Sequence, residues 1–428
     1  MSEVEWLNAA LLAARPQAIG ALLRYFRDLD TAEEAFQEAC LRALKSWPQN
    51  GPPRDPTAWL ILVGRNAALD HVRRTRKQQP LPAEEQLCEL EDTESALAER
   101  LDESHYRDDV LRLLFICCHP DLPATQQIAL ALRIVCGLSV KQIARAFLVS
   151  ESAMEQRITR AKGRVAAAQV PFETPGAAER AARLAAVAAM IYLLFNEGYS
   201  TAEGAGEARA SLCEEAIRLA RLLLRLFPAQ PEMMGLTALL LLQHARAAAR
   251  FDAHGALVLL EDQDRTLWNG TLIAEGLALV EKAMRHARPG PYQLQAAIAA
   301  LHSSAERPGE TDWAQIELLY AALEQLQPSP VVTLNRAVAV SKVRGPQPAL
   351  AMIEPLEARL AGYFYFFGVK GALLLQLGRA EDARNAFNRA VALANTAAEA
   401  AHIRTHLDRL SQRAEPHPRK PNEPSVSA

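Results

Sequence analysis

Apolar residues recur at steps of three and four along most of this chain, and β-branched runs are short. That periodicity predicts helices almost throughout and an all-α fold. The pattern is clear in residues 31–47, where Ala32, Ala35, Phe36, Ala39, Cys40, Ala43, Leu44 and Trp47 make one apolar face. Asp30 or Thr31 can cap this helix, and Glu33 or Glu34 can close a capping box. A second helix runs through Trp59–Gly64 into Arg65–Lys77. In residues 139–168 two short helices meet at a turn. Ser139 caps the first, with Gln142 three residues on, and Val140, Ile143, Ala144 and Phe147 form its apolar face. Leu148-Val149 makes the turn and Ser150 caps the second helix, with Ala153, Met154, Ile158, Ala161 and Val165 as its buried stripe.

Breaks in the pattern divide the chain. Residues 1–78 are helical, interrupted at Pro48-Gln49-Asn50-Gly51-Pro52-Pro53. Residues 79–105 open on Pro80-Leu81-Pro82, lack periodicity and read as a linker. Residues 106–170 are helical, with breaks at His119-Pro120 and Gly137. After Pro171 and Pro175-Gly176 a helical array runs through 177–411 as about ten helices. Residues 412–428, with four prolines and polar neighbours, are expected to be a disordered tail.

Charge changes this picture. The 428 residues carry a net charge of only -3, but unevenly. Residues 1–80 hold 11 basic and 9 acidic side chains, 81–110 hold 2 and 11, and 111–170 hold 8 and 3. Two basic blocks around an acidic tether suggest polyanion contact in the first 170 residues. Mean hydropathy is near zero, no apolar run approaches the roughly 20 residues of a membrane span, and no signal peptide is apparent. Six cysteines make no disulfide framework, so the thiols are expected reduced and the location cytoplasmic. No phosphate-binding loop, dinucleotide fingerprint, zinc-protease motif or nucleophile elbow occurs, so neither an enzyme nor a cofactor or metal is expected. Cys117-Cys118-His119 lacks a second ligand pair and is expected to be buried helix.

Three polar faces remain as candidate chemistry. Opposite the apolar face of helix 31–47 stand Glu34, Gln37 and Glu38, which read either as ordinary helix-start chemistry favoured by the macrodipole or as a docking face for a basic partner helix. On the next helix Asn66, Asp70, Arg73 and Lys77 share a face at steps of four, three and four, suited to phosphates and base edges. The second helix of the 139–168 pair presents Ser152, Gln156, Arg157, Arg160, Lys162 and Arg164 outside its buried stripe. This is a helix-turn-helix, whose second helix enters a major groove.

Together these segments resemble a bacterial RNA polymerase sigma factor of the extracytoplasmic-function group, in the sigma-70 family. Residues 18–48 are similar to its core-binding helices, matching at Glu34, Gln37 and Glu38. The stretch Trp59-Leu60 through Arg73-Arg74 resembles the segment that melts and reads the -10 element. It implies -10 contacts by Trp59, Arg65, Asn66, Asp70, Arg73, Arg74 and Lys77. Residues 124–165 resemble region 4, which reads the -35 element. The resemblance implies docking on the clamp helices of the largest polymerase subunit and on the flap of the second-largest, and an acidic tether threading an RNA channel. It also implies promoter DNA as ligand.

Beyond residue 176 the resemblance is to a sigma subgroup with a C-terminal tetratricopeptide-like extension acting as the controlling element. A period of 34 aligns Ala337, Ala349 and Ile353 with Gly371, Ala383 and Phe387. Regulation by contact of the extension with the sigma domains is the expectation. Within the extension, Arg265 is expected to pair with nearby acids, and Tyr363–Phe367 to be repeat core. Two other readings stay open: a repeat-fused helix-turn-helix regulator that works without polymerase, and a tetratricopeptide-like protein-interaction scaffold.

Overall fold

The computed structural model describes residues 3–51, 53–76, 103–119, 121–147, 149–167, 177–199, 206–252, 257–394 and 397–414. Among these residues the regular elements are α-helices and short 3-10 turns with no strand, and one isolated antiparallel bridge pairs Phe251 with Leu257. The expected all-α class is what the structure shows. The linker from 79 lies outside the described residues up to 102, and so does the tail from 415.

The helices gather into two compact units, divided after Leu226. The first holds α1 (Glu3–Phe26), α2 (Leu29–Asn50), α3 (Pro56–Arg76), α4 (Glu103–Cys117), α5 (Ala124–Ile134), α6 (Val140–Ala146), α7 (Glu151–Ala167), α8 (Ala177–Tyr199) and α9 (Gly206–Leu226). Helices α1, α2 and α3 pack on one another, α4 crosses α1, and α5 to α7 form the helix-turn-helix region. The α1–α4 crossing is at backbone contact: a Cβ on Gly20 would lie 2.8 Å from the Asp109 carbonyl oxygen.

Local chemistry explains the element ends. Asp28, not Asp30 or Thr31, caps α2, its carboxylate accepting from the Thr31 amide at 2.7 Å. The helix therefore begins a few residues earlier than its apolar stripe suggested. The Ser139–Gln142 capping box forms as expected: the Gln142 amide donates to Ser139 Oγ at 3.2 Å, and the Ser139 amide donates to Gln142 Oε1 at 2.8 Å. Ser150 Oγ accepts from the Ala153 amide at 3.2 Å. Gly137 ends α5 at φ 77°, a left-handed backbone that other residues rarely adopt.

Helices α8 and α9, assigned to the extension by the breaks in sequence, belong to the first unit. They pair with each other, α8 also touching α4 and α5 and α9 touching α6. Arg183 lies 5.3 Å from the Phe115 ring centroid, a cation–π contact onto α4. The stretch Ala181–Tyr199 is long and apolar enough to cross a membrane by length and composition. The expectation that no apolar run approaches a span is corrected there. Alanine supplies the length, while Leu184, Val187, Ile191, Leu194 and Phe195 are buried in the unit.

The second unit holds α10 (Pro231–His244), α11 (Gly270–Met284), α12 (Pro291–Ser304), α13 (Trp313–Leu326), α14 (Pro330–Arg344), α15 (Pro346–Ile353), α16 (Phe364–Gln376), α17 (Ala380–Leu393) and α18 (Ala397–Ala414). Neighbours in sequence are neighbours in space: α13 packs on α14, α14 on α15, α16 on α17 and α17 on α18. The residues aligned by the 34-residue period lie mostly in one core, which is compatible with a repeat. Ala337, Ala349 and Ile353 on α14–α15 are buried in one core with Ala383 and Phe387 on α17. Gly371 admits the Phe387 ring, where a Cβ would stand 2.6 Å from Cδ1. In the Tyr363–Phe367 run, Phe364, Phe366 and Phe367 are core, while the exposed Tyr365 donates to Glu399 at 3.2 Å. Arg265 departs from expectation. It donates to the carbonyls of His302, at 2.8 Å, and Ala305, so it caps the end of α12 rather than pairing with the acids beside it. Carbonyls left open at a helix end attract a guanidinium as a carboxylate does.

Candidate nucleic-acid interface

The acidic face of α2 is outward. Glu34 and Gln37 are exposed, and Glu38 holds Arg42 at 3.1 Å one turn on. Leu41 and Leu44 continue this face at 55% and 46% exposure, whereas Ala32, Ala35, Phe36, Ala39, Ala43 and Trp47 are buried. Leu44, placed on the apolar face by its spacing, thus belongs to the open side. An acidic stripe beside two bare leucines suits a basic amphipathic helix as partner.

On α3, Trp59 is half-buried and meets Trp47 edge-on at 5.3 Å, and Trp47 stacks on Trp6 at 6.4 Å. Arg65 lies over the Tyr25 ring at 5.3 Å, and Asn66 is half-buried beside it. Asp55 opens this helix, accepting from the amides of Thr57 and Ala58 at 2.9 and 3.0 Å. Asp70, Arg73 and Arg74 fall on α3 with side chains outside the described set, and Lys77 lies beyond the described residues.

The second helix of the helix-turn-helix, α7, buries Met154, Ile158, Ala161 and Val165. Ala153, expected in that stripe, is exposed. Ser152, Gln156, Arg160 and Arg164 are exposed and Arg157 is half-buried, which leaves the front of the helix open to a groove. Arg160 donates to Gln156 at 3.4 Å and Arg164 to Gln126 at 3.4 Å, weak surface bonds that a base or phosphate can replace. Lys162 is placed otherwise. Its Nζ donates to Asp30 at 2.6 Å and to Glu33 at 2.9 Å, both on α2. Burial works against the Lys162 charge, but the hydrogen bonds and attraction of Asp30 and Glu33 outweigh it and hold its pKa above the ordinary value.

Sequence reasoning missed the residue that organises this contact. Glu33 is 4% exposed and meets three cations: Lys162 at 2.9 Å, Arg133 at 3.0 Å and Arg15 at 3.7 Å. Arg15, from α1, also donates to the Ile134 and Arg133 carbonyls at 2.9 and 3.1 Å, capping the end of α5. Nearby, buried Asp109 takes Arg112 at 3.0 Å and Arg24 at 3.5 Å. The signal in sequence was slight: Glu33 stands next to Glu34, and only its one-residue offset turns it inward.

Cys117, Cys118 and Cys136 are buried, and burial pushes the Cys118 thiol up to about 12 and Cys136 higher still. Such thiols are poor nucleophiles and poor metal ligands at neutral pH. Among the described residues no group of three or more His, Cys, Asp or Glu side chains is placed to hold a metal ion.

Comparison with known proteins gives family matches over the segments that carry these faces. Residues 11–78 match the family model for sigma-70 region 2, and residues 112–165 that for sigma-70 region 4. Residues 183–284 match a family of unknown function, DUF6596. An uncharacterized protein of Rhizobium meliloti (strain 1021) is 71% identical over 97% of this chain and 98% of its own length. A probable extracytoplasmic-function RNA polymerase sigma factor, SigI, of Mycobacterium tuberculosis (strain CDC 1551 / Oshkosh) is 26% identical over 39% of this chain and 56% of its length. A probable RNA polymerase sigma-C factor of Mycobacterium bovis is 25% identical over 39% of this chain and 85% of its length. No solved structure matches the chain. Two matched sigma regions, an outward acidic α2 and a helix-turn-helix with an open reading face lead to one assignment: the chain belongs to the extracytoplasmic-function group of the sigma-70 family and carries a C-terminal helical extension.

Proposed function

We propose that this sigma factor joins core RNA polymerase and directs it to a narrow set of promoters, and that its own extension governs when it does so. The observation that carries the reading is the presence in one unit of an exposed acidic docking face on α2 and an exposed reading face on α7. Glu34, Gln37 and Glu38 meet the clamp helices of the largest subunit. The half-buried Trp59, with Arg65, Asn66, Asp70, Arg73, Arg74 and Lys77, takes the -10 element, where stacking and edge contacts offset base unstacking. Ser152, Gln156, Arg157, Arg160 and Arg164 read the -35 element, each good bidentate base contact giving about 1–3 kcal/mol of discrimination. The flap of the second-largest subunit holds region 4, and the acidic segment between the regions follows the RNA channel. The work is binding and positioning in the cytoplasm, with no catalytic residue.

Helices α8 and α9 pack with the sigma regions, so a cut after Leu226 is the informative truncation; a cut near residue 175 would strip part of that unit. Run-off transcription with purified core polymerase tests the reading. Full-length protein is expected to start transcripts, and Glu38→Lys to abolish them. Protein ending at Leu226 is expected to differ from full length in yield. Transcription unaffected by Glu38→Lys would discard the docking role, and equal yields after truncation would discard the regulatory one.

A further inference from the structure

We propose that one layer of the array, helices α12, α14, α16 and α18, binds an extended acidic peptide of a partner protein. Residues 257–264 of this chain hold that place until the peptide displaces them. The inference goes beyond the promoter reading and does not rest on it.

The chain between α10 and α11 already lies on these helices in the manner of a bound peptide. Near its middle it makes only two short turns, Leu260–Asp262 and Arg265–Leu267, after an antiparallel bridge from Phe251 to Leu257. Its side chains reach four separate helices. Arg265 caps the end of α12. Glu261 takes Lys342 of α14 at 2.8 Å. Asp262 faces α18, where burial lowers the His402 pKa and the Asp262 charge works against that shift. Arg250 faces α16, where burial and Glu399 push the Tyr365 hydroxyl up to about 12 and Arg250 opposes them. These are alternate helices of the array, and α14 also touches α16 directly. In stacked helix pairs, alternate helices share one layer.

The chemistry of that layer selects the partner. Lys342 stands over the Trp313 ring at 5.6 Å. On α18, His402 and His406 lie 5.1 Å apart, with Arg409 close to both. Against these groups the segment sets Glu261 and Asp262, preceded by Leu257, Leu259 and Leu260. An extended peptide with leucines followed by acids presents the same complement.

The seat is firm at one end and loose in the middle. Arg265 lies over the Trp268 ring at 4.6 Å, and the Asn269 amide donates to the Ala245 carbonyl at 2.9 Å. Upstream, Glu261 and Lys342 are 52% and 39% exposed, and none of Leu257, Leu259 and Leu260 is buried. The buried Gln263 keeps its Oε1 without a hydrogen-bond partner. An exposed ion pair holds weakly against water, and an orphaned buried acceptor weakens the seat further. A partner peptide can therefore take the middle while Arg265 and Trp268 keep the segment tied to the array.

Fluorescence anisotropy of a labelled peptide copying residues 257–267, added to the full chain, tests this. Saturable binding is expected. Glu261→Lys sets the chain's own segment against Lys342 and is expected to bind the peptide about fivefold tighter than wild type. The control is Asp264→Lys, since Asp264 accepts from Thr266 within its own turn; this variant is expected to bind as wild type does. Lys342→Glu is expected to weaken binding about fivefold, and a peptide with lysine at the place of Glu261 to restore it. Such rescue separates a lost contact from a lost fold. Saturating peptide is also expected to speed hydrogen exchange at the Val258 and Asp262 amides, which donate to the Arg250 and Leu259 carbonyls at 2.8 and 2.9 Å. The proposal is overturned by absence of saturable binding, by equal gains from Glu261→Lys and Asp264→Lys, by failure of the rescue, or by unchanged exchange at those amides. A wild-type dimer in light scattering that the peptide dissociates would give the layer to a second copy of this chain and overturn the partner.

Discussion

The two units differ in how far along the chain their charged contacts reach. In the first, charged side chains bridge helices far apart in sequence: Arg15 reaches the Ile134 carbonyl across 119 residues, and Lys162 reaches Asp30 across 132. In the second, small residues let helices nearer in sequence touch, α16 and α17 at Gly371 under Phe387, and α10 and α12 at Gly235, where a Cβ would stand 2.6 Å from the Gln293 amide nitrogen. Its ion pairs join helices adjacent in sequence, as Arg336–Glu324 and the buried Glu317 with Arg344 do between α13 and α14, or lie at the surface, as Lys342–Glu261 does. Breaking each kind of joint has its own cost: a buried charge left without its partner in the first unit, a backbone pushed aside in the second.

That contrast can be broken at several points. The largest effect is expected from Glu33→Ala, which leaves Arg15, 8% exposed, without its carboxylate. Loss of one partner of a buried ion pair costs about 3–5 kcal/mol. Hydrogen exchange should rise in α1, α2 and α5 and stay level in α14–α17; a uniform rise would show that the two units are not held separately. Gly235→Leu is the mirror experiment. The added side chain meets backbone rather than a movable tip, so about 3 kcal/mol should be lost. The urea transition of α10–α12 should move while that of α1–α3 does not.

Acid should also act on the array. Burial, then the charges of Arg246 and Arg265, lower the His302 pKa to about 4 from its ordinary 6.5. The unfolded chain therefore takes up the proton first. Stability is unaffected above about pH 7, falls as pH drops through 6.5, and levels off near 4, for a loss of up to about 3 kcal/mol. His402 and His406, lowered chiefly by burial, pull in the same direction. Exchange in α12 measured between pH 7 and 4.5 checks this, and His302→Phe should flatten the slope. The smallest effect belongs to Ser139→Ala. Loss of the capping box should cost about 1 kcal/mol and fray α6, read as faster exchange at Gln142.

Much of this was legible along the chain. Strong periodicity, the Ser139 and Ser150 caps and the left-handed Gly137 are local facts, so α6 and α7 could be drawn before any coordinates. The outward stripe Glu34, Gln37 and Glu38 was visible for the same reason. Errors came where neighbours decide. Leu44 fits an apolar stripe by spacing but stands on the exposed side of α2. Arg265 stands among acids in sequence yet finds two carbonyls at the end of α12. Helices α8 and α9 follow a proline break, and nothing local says which core they join.

Order along the chain determined the helices, their caps and the two sigma-like segments, because backbone propensity and side-chain period act over a few residues. Tertiary structure alone decided that Glu33, not its neighbours, gathers three cations, and that Lys162 faces α2 rather than open solvent. A charge's partner is whichever opposite charge the fold brings within a few ångströms, and that distance is set by helices more than a hundred residues apart.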